Sequence, residues 1–473
     1  MLLKALNMIT DKIYTTFVSY CIVPLITKFL KPMVDGTSEQ ILVDLPSINK
    51  CFTFGGQKKL TANNNETESV TLRIDQPVHF CWSLLLDQKI GLGESYMHGD
   101  WCARPGIKAF LTALIRAKRE KSARSRSSTS STSSSSTAPV TPRNPSLPTV
   151  LLASIGSRLL TTFRSLVAFY NYCHHRVRDN TILRSRKNIE EHYDLGNDMF
   201  NLFLDDTMTY SCALFDEADL GKSILTPVDF PHLRAAQLRK IDALLETLNL
   251  GPNDHVLEIG CGWGAAAIRA VQRFGCRWTG LTISTEQLEM AQERVREAGL
   301  EASIDLKLLD YRLETARYSA VVSIEMIEAV GEKFLPEYFQ VIYDRLEEGG
   351  KAAIQAIICP DAYYDRYCRS SDFIKKHIFP GGHMPSVGAI QKSLPRSSSD
   401  DSALFAFNIE RSMAQHYSHT LDVWLAAWLD RERDITTLGY SSTFHRKWQF
   451  YFGLCSALFN YDHIDVIQFT LTK

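Results

Sequence analysis

One short run constrains this chain more than any other. Glu258-Ile-Gly-Cys-Gly-Trp-Gly264 closes the apolar stretch HVLEIG and opens an apolar-periodic run from Ala265 to Phe274. The stretch reads as a buried strand and the run as a helix. Glycines at 260, 262 and 264 let the turn between them present bare backbone to a ligand, at the place where open sheets bind ligands. The alternation continues beyond it. RWTGLTI reads as a strand, Glu286 to Ala298 as a helix, Leu306 to Leu309 and YSAVVSIE as strands, Leu335 to Leu346 as a helix and KAAIQAII as a strand. From about Val150 to Lys473 this predicts an α/β fold, a doubly wound and mostly parallel sheet with helices on both faces.

A dinucleotide fingerprint would read G-x-G-x-x-G with an acid about 20 residues on. Here the next strand ends at Thr282-Ile-Ser-Thr-Glu-Gln287, with no acid at its tip. E-x-G-x-G-x-G after an apolar strand instead resembles the S-adenosylmethionine-dependent methyltransferases of class I, which are Rossmann-like. Longer motifs narrow the resemblance. HYDLGNDMFNLFLDDTMTYSCALF lies between Glu191 and Asp216, SIEMIEAVGEKFLPEYF begins at Ser323, DFIKKHIFPGGHMPS at Asp372 and HYSHTLDVW at His416. In that order they closely resemble the cyclopropane-fatty-acyl-phospholipid synthase family, which includes the mycolic-acid cyclopropane synthases. GLGESYMHGDW, Gly91 to Trp101, resembles the signature of that family's N-terminal domain.

The resemblance implies transfer of a methyl group from S-adenosylmethionine to a cis double bond of a phospholipid acyl chain. A carbocation forms, and loss of a proton from the delivered methyl closes a ring. An alkene is a poor nucleophile, so the site must exclude water and hold the reactants in line. A cation favours aromatic faces, and the matching segments are rich in Tyr, Phe and Trp. The implied cofactor positions are Tyr210, Ser211, Glu258, Gly260, Gly262, Gly264, Thr282 and Gln287, with Asp310, Tyr311 and Arg312 flanking the adenine. The implied base is a bound bicarbonate ion held by Cys212, Glu328, Gln355, Ile357 and Tyr417. Glu328 beside such an anion would need a shared proton, because two anions repel.

Two positions depart from the family pattern. Ala329 stands where MxEHVG has its His, and Gln355 where some bacterial members have a His. Gln can hydrogen-bond an anion through its amide but does not titrate near neutrality. His416 and His419 have no partner cluster at ligand spacing, so no metal is expected. Eleven scattered cysteines with no CxxC pair argue against a disulfide scaffold and for a reducing compartment.

The remainder divides by composition. Ile13 to Leu30 is apolar but holds Lys28 and Pro24. It reads as a membrane anchor, an interfacial helix, a targeting segment or a packed helix within residues 1–37. Residues 38–117 read as a small α+β domain, with strands at ILVDLP and VTLRIDQP, and the resemblance implies that it binds lipid. Residues 118–149, Ser-rich and poor in large apolar side chains, read as a disordered linker before a catalytic domain at 150–473. SLPRSSSDDS within Lys392 to Ser402 reads as a loop.

Net charge is −1, which argues against a nucleic-acid partner, yet Arg116 to Glu190 holds 14 basic and 3 acidic residues. With a bilayer of unsaturated phospholipid as the implied partner, His174 to Lys187 becomes a candidate docking stretch for anionic headgroups on the cytoplasmic face. A homodimer is the base-rate expectation. The same cation could lead to a methyl branch instead of a ring. Other classes are a lipid-binding protein with a degraded site, for which Ala329 and Gln355 speak, and a small-molecule methyltransferase, against which the N-terminal module speaks.

Overall fold

The computed structural model describes residues 2–56, 70–129, 162, 165–167, 169–173, 180–181, 196–224 and 226–473. Residues 130–149, most of His174 to Lys187 and the start of the Glu191 motif, His192 included, lie outside the described residues. The chain forms two compact units. One comprises Met1–Asn171 with Ser442–Phe450, the other Tyr172–Ser441 with Tyr451–Lys473.

The first unit holds four strands: β1 (Gln40–Leu45), β2 (Lys50–Gly55), β3 (Val70–Ile74) and β4 (Trp101–Arg104). They form one sheet in the order β2-β1-β3-β4. Alternation of Ile41, Val43 and Leu45 puts one face of β1 into the core. The GLGESYMHGDW residues serve this packing. A Cβ at Gly91 would stand 2.1 Å from the Ser83 carbonyl, so glycine lets helix Gln88–Met97 close on helix Pro77–Leu86. Trp101 is fully buried, and its Nε1 donates to Ser95 Oγ at 3.0 Å.

Two domain boundaries differ from expectation. Helix Ile107–Thr129 runs through the first part of the expected linker. Glu120 holds it there by accepting from the Ser38 N–H (2.7 Å), and Lys121 donates to the Pro32 carbonyl. Ser442–Phe450 joins the first unit because Arg446 donates to the Tyr96 and Trp101 carbonyls (2.6 and 2.7 Å), while Tyr96 OH donates to Gln449 Oε1. The N-terminal segment is helical from Leu2 to Val34, with a π-helical turn at Val18–Ile22. Val18, Ile22, Ile26, Leu30 and Val34, four residues apart, form its buried stripe. Thr10–Val34 is also long and apolar enough to cross a membrane, by length and composition.

The second unit is built on β5 (His255–Ile259), β6 (Arg277–Thr282), β7 (Ile304–Leu308), β8 (Tyr318–Ile324), β9 (Leu346–Ile358), β10 (Ala406–Ser412) and β11 (Asp465–Thr472). The sheet order is β10-β11-β9-β8-β5-β6-β7, and β11 runs antiparallel to both of its neighbours. Helices cover both faces. Tyr338, Phe339 and Ile342 pack on one side, and Ile241, Leu244, Ala267, Ala270 and Val295 on the other. The fold is therefore the doubly wound, mostly parallel α/β class. The expected loop at Lys392 to Ser402 begins as the end of helix Val387–Ser393, then turns back through a bridge between Arg396 and Ala403.

Candidate active site

β5 pairs with β6 on one side and β8 on the other, so the chain leaves the sheet in opposite directions at its carboxyl end. That switch point opens a cavity. The turn over it has φ +82° at Gly260, +51° at Gly262 and +83° at Gly264. The Gly260 and Cys261 N–H groups both donate to the Leu281 carbonyl at 2.9 Å, which pins the turn to β6. A Cβ at Gly260 would lie 2.6 Å from Met326 Cγ, whereas one at Gly262 would meet nothing within 4 Å. Gly262 thus leaves room above the backbone.

The cavity gathers Tyr210, Ser211, Glu258, Gly260, Gly262, Thr282, Gln287, Asp310, Tyr311 and Arg312 into one lining. Gly264 stands behind it as the N-cap of helix Ala265–Phe274, with space for a Cβ only 3.4 Å from Ala291. At the tip of β6, Thr282 Oγ1 donates to Gln287 Oε1 (2.9 Å), and Ser284 caps the helix that carries Gln287. After β7, Arg312 grips Asp310 through Nε (2.8 Å) and a second nitrogen (2.6 Å), a two-pronged pair that fixes both side chains. The Tyr210 ring lies 5.3 Å from Trp424 and 5.4 Å from Phe200, beginning an aromatic wall.

Two charged lining residues escaped the sequence reading. Lys240 is fully buried, and its ammonium donates to Ser211 Oγ at 2.6 Å. Burial pushes its pKa down to about 8. It sits on the apolar face of helix Phe230–Leu245, one turn from Ala236 and Leu244, and that misplaced charge was the available signal. Nearby, burial raises the Glu258 carboxyl to about 7, against a hydrogen bond from Trp278 Nε1 (2.9 Å).

The second is Glu325, directly after β8. The five residues expected around bicarbonate surround it or its neighbour. The Cys212 N–H (2.9 Å) and Gln355 Nε2 (2.7 Å) donate to Glu325 Oε1, and Tyr417 OH (2.8 Å) donates to Oε2. Glu328 Oε1 accepts from the Ile357 N–H at 2.5 Å, and its buried Oε2 has no hydrogen-bond partner among the described residues. Burial, then the Glu325 charge, lifts Glu328 to about 8, so it is mostly protonated at neutral pH. Burial raises Glu325 too, opposed by Lys240 and the three donors. The Cys212 thiol is pushed far up by burial, which leaves its N–H as the useful group. Among the described residues no group of three or more His, Cys, Asp or Glu is placed to hold a metal.

Comparison with known proteins identifies the lineage. Residues 181–469 match the family model for mycolic acid cyclopropane synthetase. A tuberculostearic acid methyltransferase of Mycobacterium tuberculosis is 39% identical over 295 residues, 62% of this chain and 67% of that protein. The cyclopropane-fatty-acyl-phospholipid synthase of Escherichia coli is 29% identical over 415 residues, 86% of this chain and 89% of that one. The crystal structure of mycolic acid cyclopropane synthase CmaA1 complexed with SAH and CTAB is 30% identical, with a TM-score of 0.52 over 61% of this chain and 98% of that one. With the glycine turn at the switch point and the motifs in family order, this chain belongs to the mycolic acid cyclopropane synthetase family and is an S-adenosylmethionine-dependent methyltransferase acting on lipid.

Proposed function

We propose that the protein methylates a cis double bond in a phospholipid acyl chain and closes a cyclopropane ring. The observation that carries this is the cavity at the β5 switch point. Its open Gly262 turn, Thr282–Gln287 pair and Asp310–Arg312 clasp fit S-adenosylmethionine, with Tyr210, Ser211, Glu258 and Tyr311 completing the cradle. When bound, the cofactor supplies an electrophilic methyl group on a sulfonium. The chain's own residues exclude water and offer the aromatic face of Tyr210, packed against Trp424, to the developing cation. The lipid assignment rests on the E. coli relative, whose match covers 86% of this chain and so extends beyond residues 181–469 into the first unit. That unit exposes Tyr20 (79%), Ile13 (64%) and Trp82 (56%), side chains suited to a bilayer interface.

Bicarbonate does not fit as the base. Cys212 N–H and Tyr417 OH have one proton each to donate, and both are taken by Glu325. An added anion would meet that carboxylate at contact distance.

The 39% identity to a tuberculostearic acid methyltransferase favours a second reading, in which a hydride shift moves the same cation onto the methyl-bearing carbon and loss of a proton leaves a methylene branch, whose reduction to a methyl branch takes a separate hydride donor. One experiment separates the readings. Full-length protein is incubated with methyl-labelled S-adenosylmethionine and vesicles of unsaturated phospholipid, and the fatty acids are analysed by mass spectrometry and NMR. A labelled ring supports the first reading and a labelled branch the second. Absence of any methylated acyl chain refutes both.

A further inference from the structure

On the lipid-methylating reading, a base must stand beside the new cation. We propose that this base is the Glu325 carboxylate, a resident group occupying the place a free bicarbonate would take. Three observations converge on it. The first is the donor set. Cys212 N–H, Gln355 Nε2 and Tyr417 OH all point at its two oxygens, and Gln468 Nε2 fixes Gln355 in turn by donating to its Oε1 at 2.9 Å. The second is the backbone. Glu325 has φ +48°, a region that residues with a Cβ rarely occupy. Glycine would sit there without strain, so the chain bears that strain to hold a carboxylate at this position. The third is access. Glu325 is half-buried and lines the cavity beside Gly260 and Ser211, whereas Cys212, Gln355, Glu328 and Tyr417 stand outside that lining.

The step balances on this chain's own atoms. Methyl addition to one alkene carbon leaves its neighbour cationic. A C–H bond of the added methyl then breaks, its electron pair forms the C–C bond that closes the ring, and its proton passes to a Glu325 oxygen. Tyr417 and Gln355 hold the carboxylate at the reacting carbon, and release of the proton to water resets it. A carboxylate tethered to the chain needs no capture from solution, so its effective concentration is that of an intramolecular group.

The test uses full-length protein and two readouts. Titration with 13C-labelled bicarbonate, followed by NMR, should show no saturable site in the wild type. It should show one in Glu325→Gly, where the three donors are released and the backbone relaxes. In the vesicle assay, depletion of carbon dioxide should change wild-type turnover by less than about twofold, while Glu325→Gln should lose about 100-fold or more with S-adenosylhomocysteine affinity retained. Bicarbonate or formate should restore about tenfold or more of the activity lost in Glu325→Gly, the level of partial rescue expected for a base replaced from solution. The proposal is overturned if the wild type binds bicarbonate as well as Glu325→Gly does, or loses its turnover on depletion and regains it with bicarbonate. If no variant methylates lipid, the reaction proposed above fails, and the binding comparison still decides what occupies the donor cluster.

Discussion

Replacing Lys240 with methionine should make the protein more stable and much less active. Lys240 is fully buried with its ammonium on Ser211 Oγ. Burial drives its pKa from 10.5 down to about 8, even with Glu325, Cys212, Asp205 and Glu258 pulling the other way. A fall of that size corresponds to about 3 kcal/mol, which the folded state loses by keeping the charge at neutral pH. Methionine has similar length and no charge. It removes that penalty but leaves the Ser211 hydroxyl without its donor, at about 1 kcal/mol. It also withdraws the cation from Glu325 and Glu258, which can relieve themselves by taking up protons. The expected gain at pH 7 is therefore about 1–2 kcal/mol. The sign with pH follows from linkage. Between about pH 8 and 10.5 the unfolded lysine still holds a proton that the folded one has lost, so wild-type stability rises through that window. The variant lacks this rise, and its advantage should shrink by up to about 3 kcal/mol. Urea melts of both proteins at pH 7 and 10 measure the difference, with other titrating groups common to both. Turnover should fall about 100-fold, because Glu325 without its cation is harder to keep ionised. A variant destabilised by about 2 kcal/mol or more at pH 7, or a stability gap unchanged between the two pH values, would refute the reasoning.

Gly260→Ala forces a Cβ at φ +82° to within 2.6 Å of Met326 Cγ, so it should cost about 2–4 kcal/mol and weaken S-adenosylhomocysteine binding, both read in thermal shifts with and without ligand. Gly91→Ala meets the Ser83 carbonyl at 2.1 Å and should destabilise the first unit by about 1–3 kcal/mol, while calorimetry finds ligand affinity in the second unit unchanged. Glu328→Gln should keep turnover within about tenfold of wild type at pH 7, because the carboxyl it replaces is mostly protonated there and the amide oxygen can still accept from Ile357. Its melting temperature should exceed that of the wild type above pH 8. A raised carboxyl binds its proton more tightly when folded, so wild-type stability declines as pH climbs from about 4.5 to 8.

The sheet from β5 to β9 was legible because strands and the glycine turn after β5 depend on local pattern. The other cofactor positions came from the resemblance of the longer motifs, and ten of the eleven residues named line one cavity. What stayed hidden depends on distant partners. β10 is the exposed edge strand AFNIERS, whose apolar alternation is limited to Phe407 and Ile409, and it is a strand because β11 returns beside it from about 60 residues on. The helix through Thr129 reads as Ser-rich linker, since its stabilisation comes from Ser38 and Pro32, some 80 residues away. Ser442–Phe450 gives no local sign that Arg446 will reach Tyr96.

Glu325 and Glu328 show why motif matching stops short of chemistry. Both follow β8, three residues apart, and the family pattern singles out Glu328 alone. Burial raises both carboxyls, but their neighbours pull in opposite directions. Glu325 collects three donors and the field of Lys240, all of which favour an anion. Glu328 has one donor, an unpartnered oxygen and the Glu325 charge beside it, all of which favour the acid. Two carboxyls with such different partners are suited to serve as a base and an acid within one turn of chain. The departures at Ala329 and Gln355 then need not mean a degraded site. A His able to titrate serves an exchangeable anion, whereas a Gln held by Gln468 serves a carboxylate that never leaves, because its amide can only donate through Nε2 while Oε1 is occupied. On that logic, Gln355→His should lower turnover although it introduces the residue that some bacterial members have there. An increase would show that the cluster is still built for a free anion.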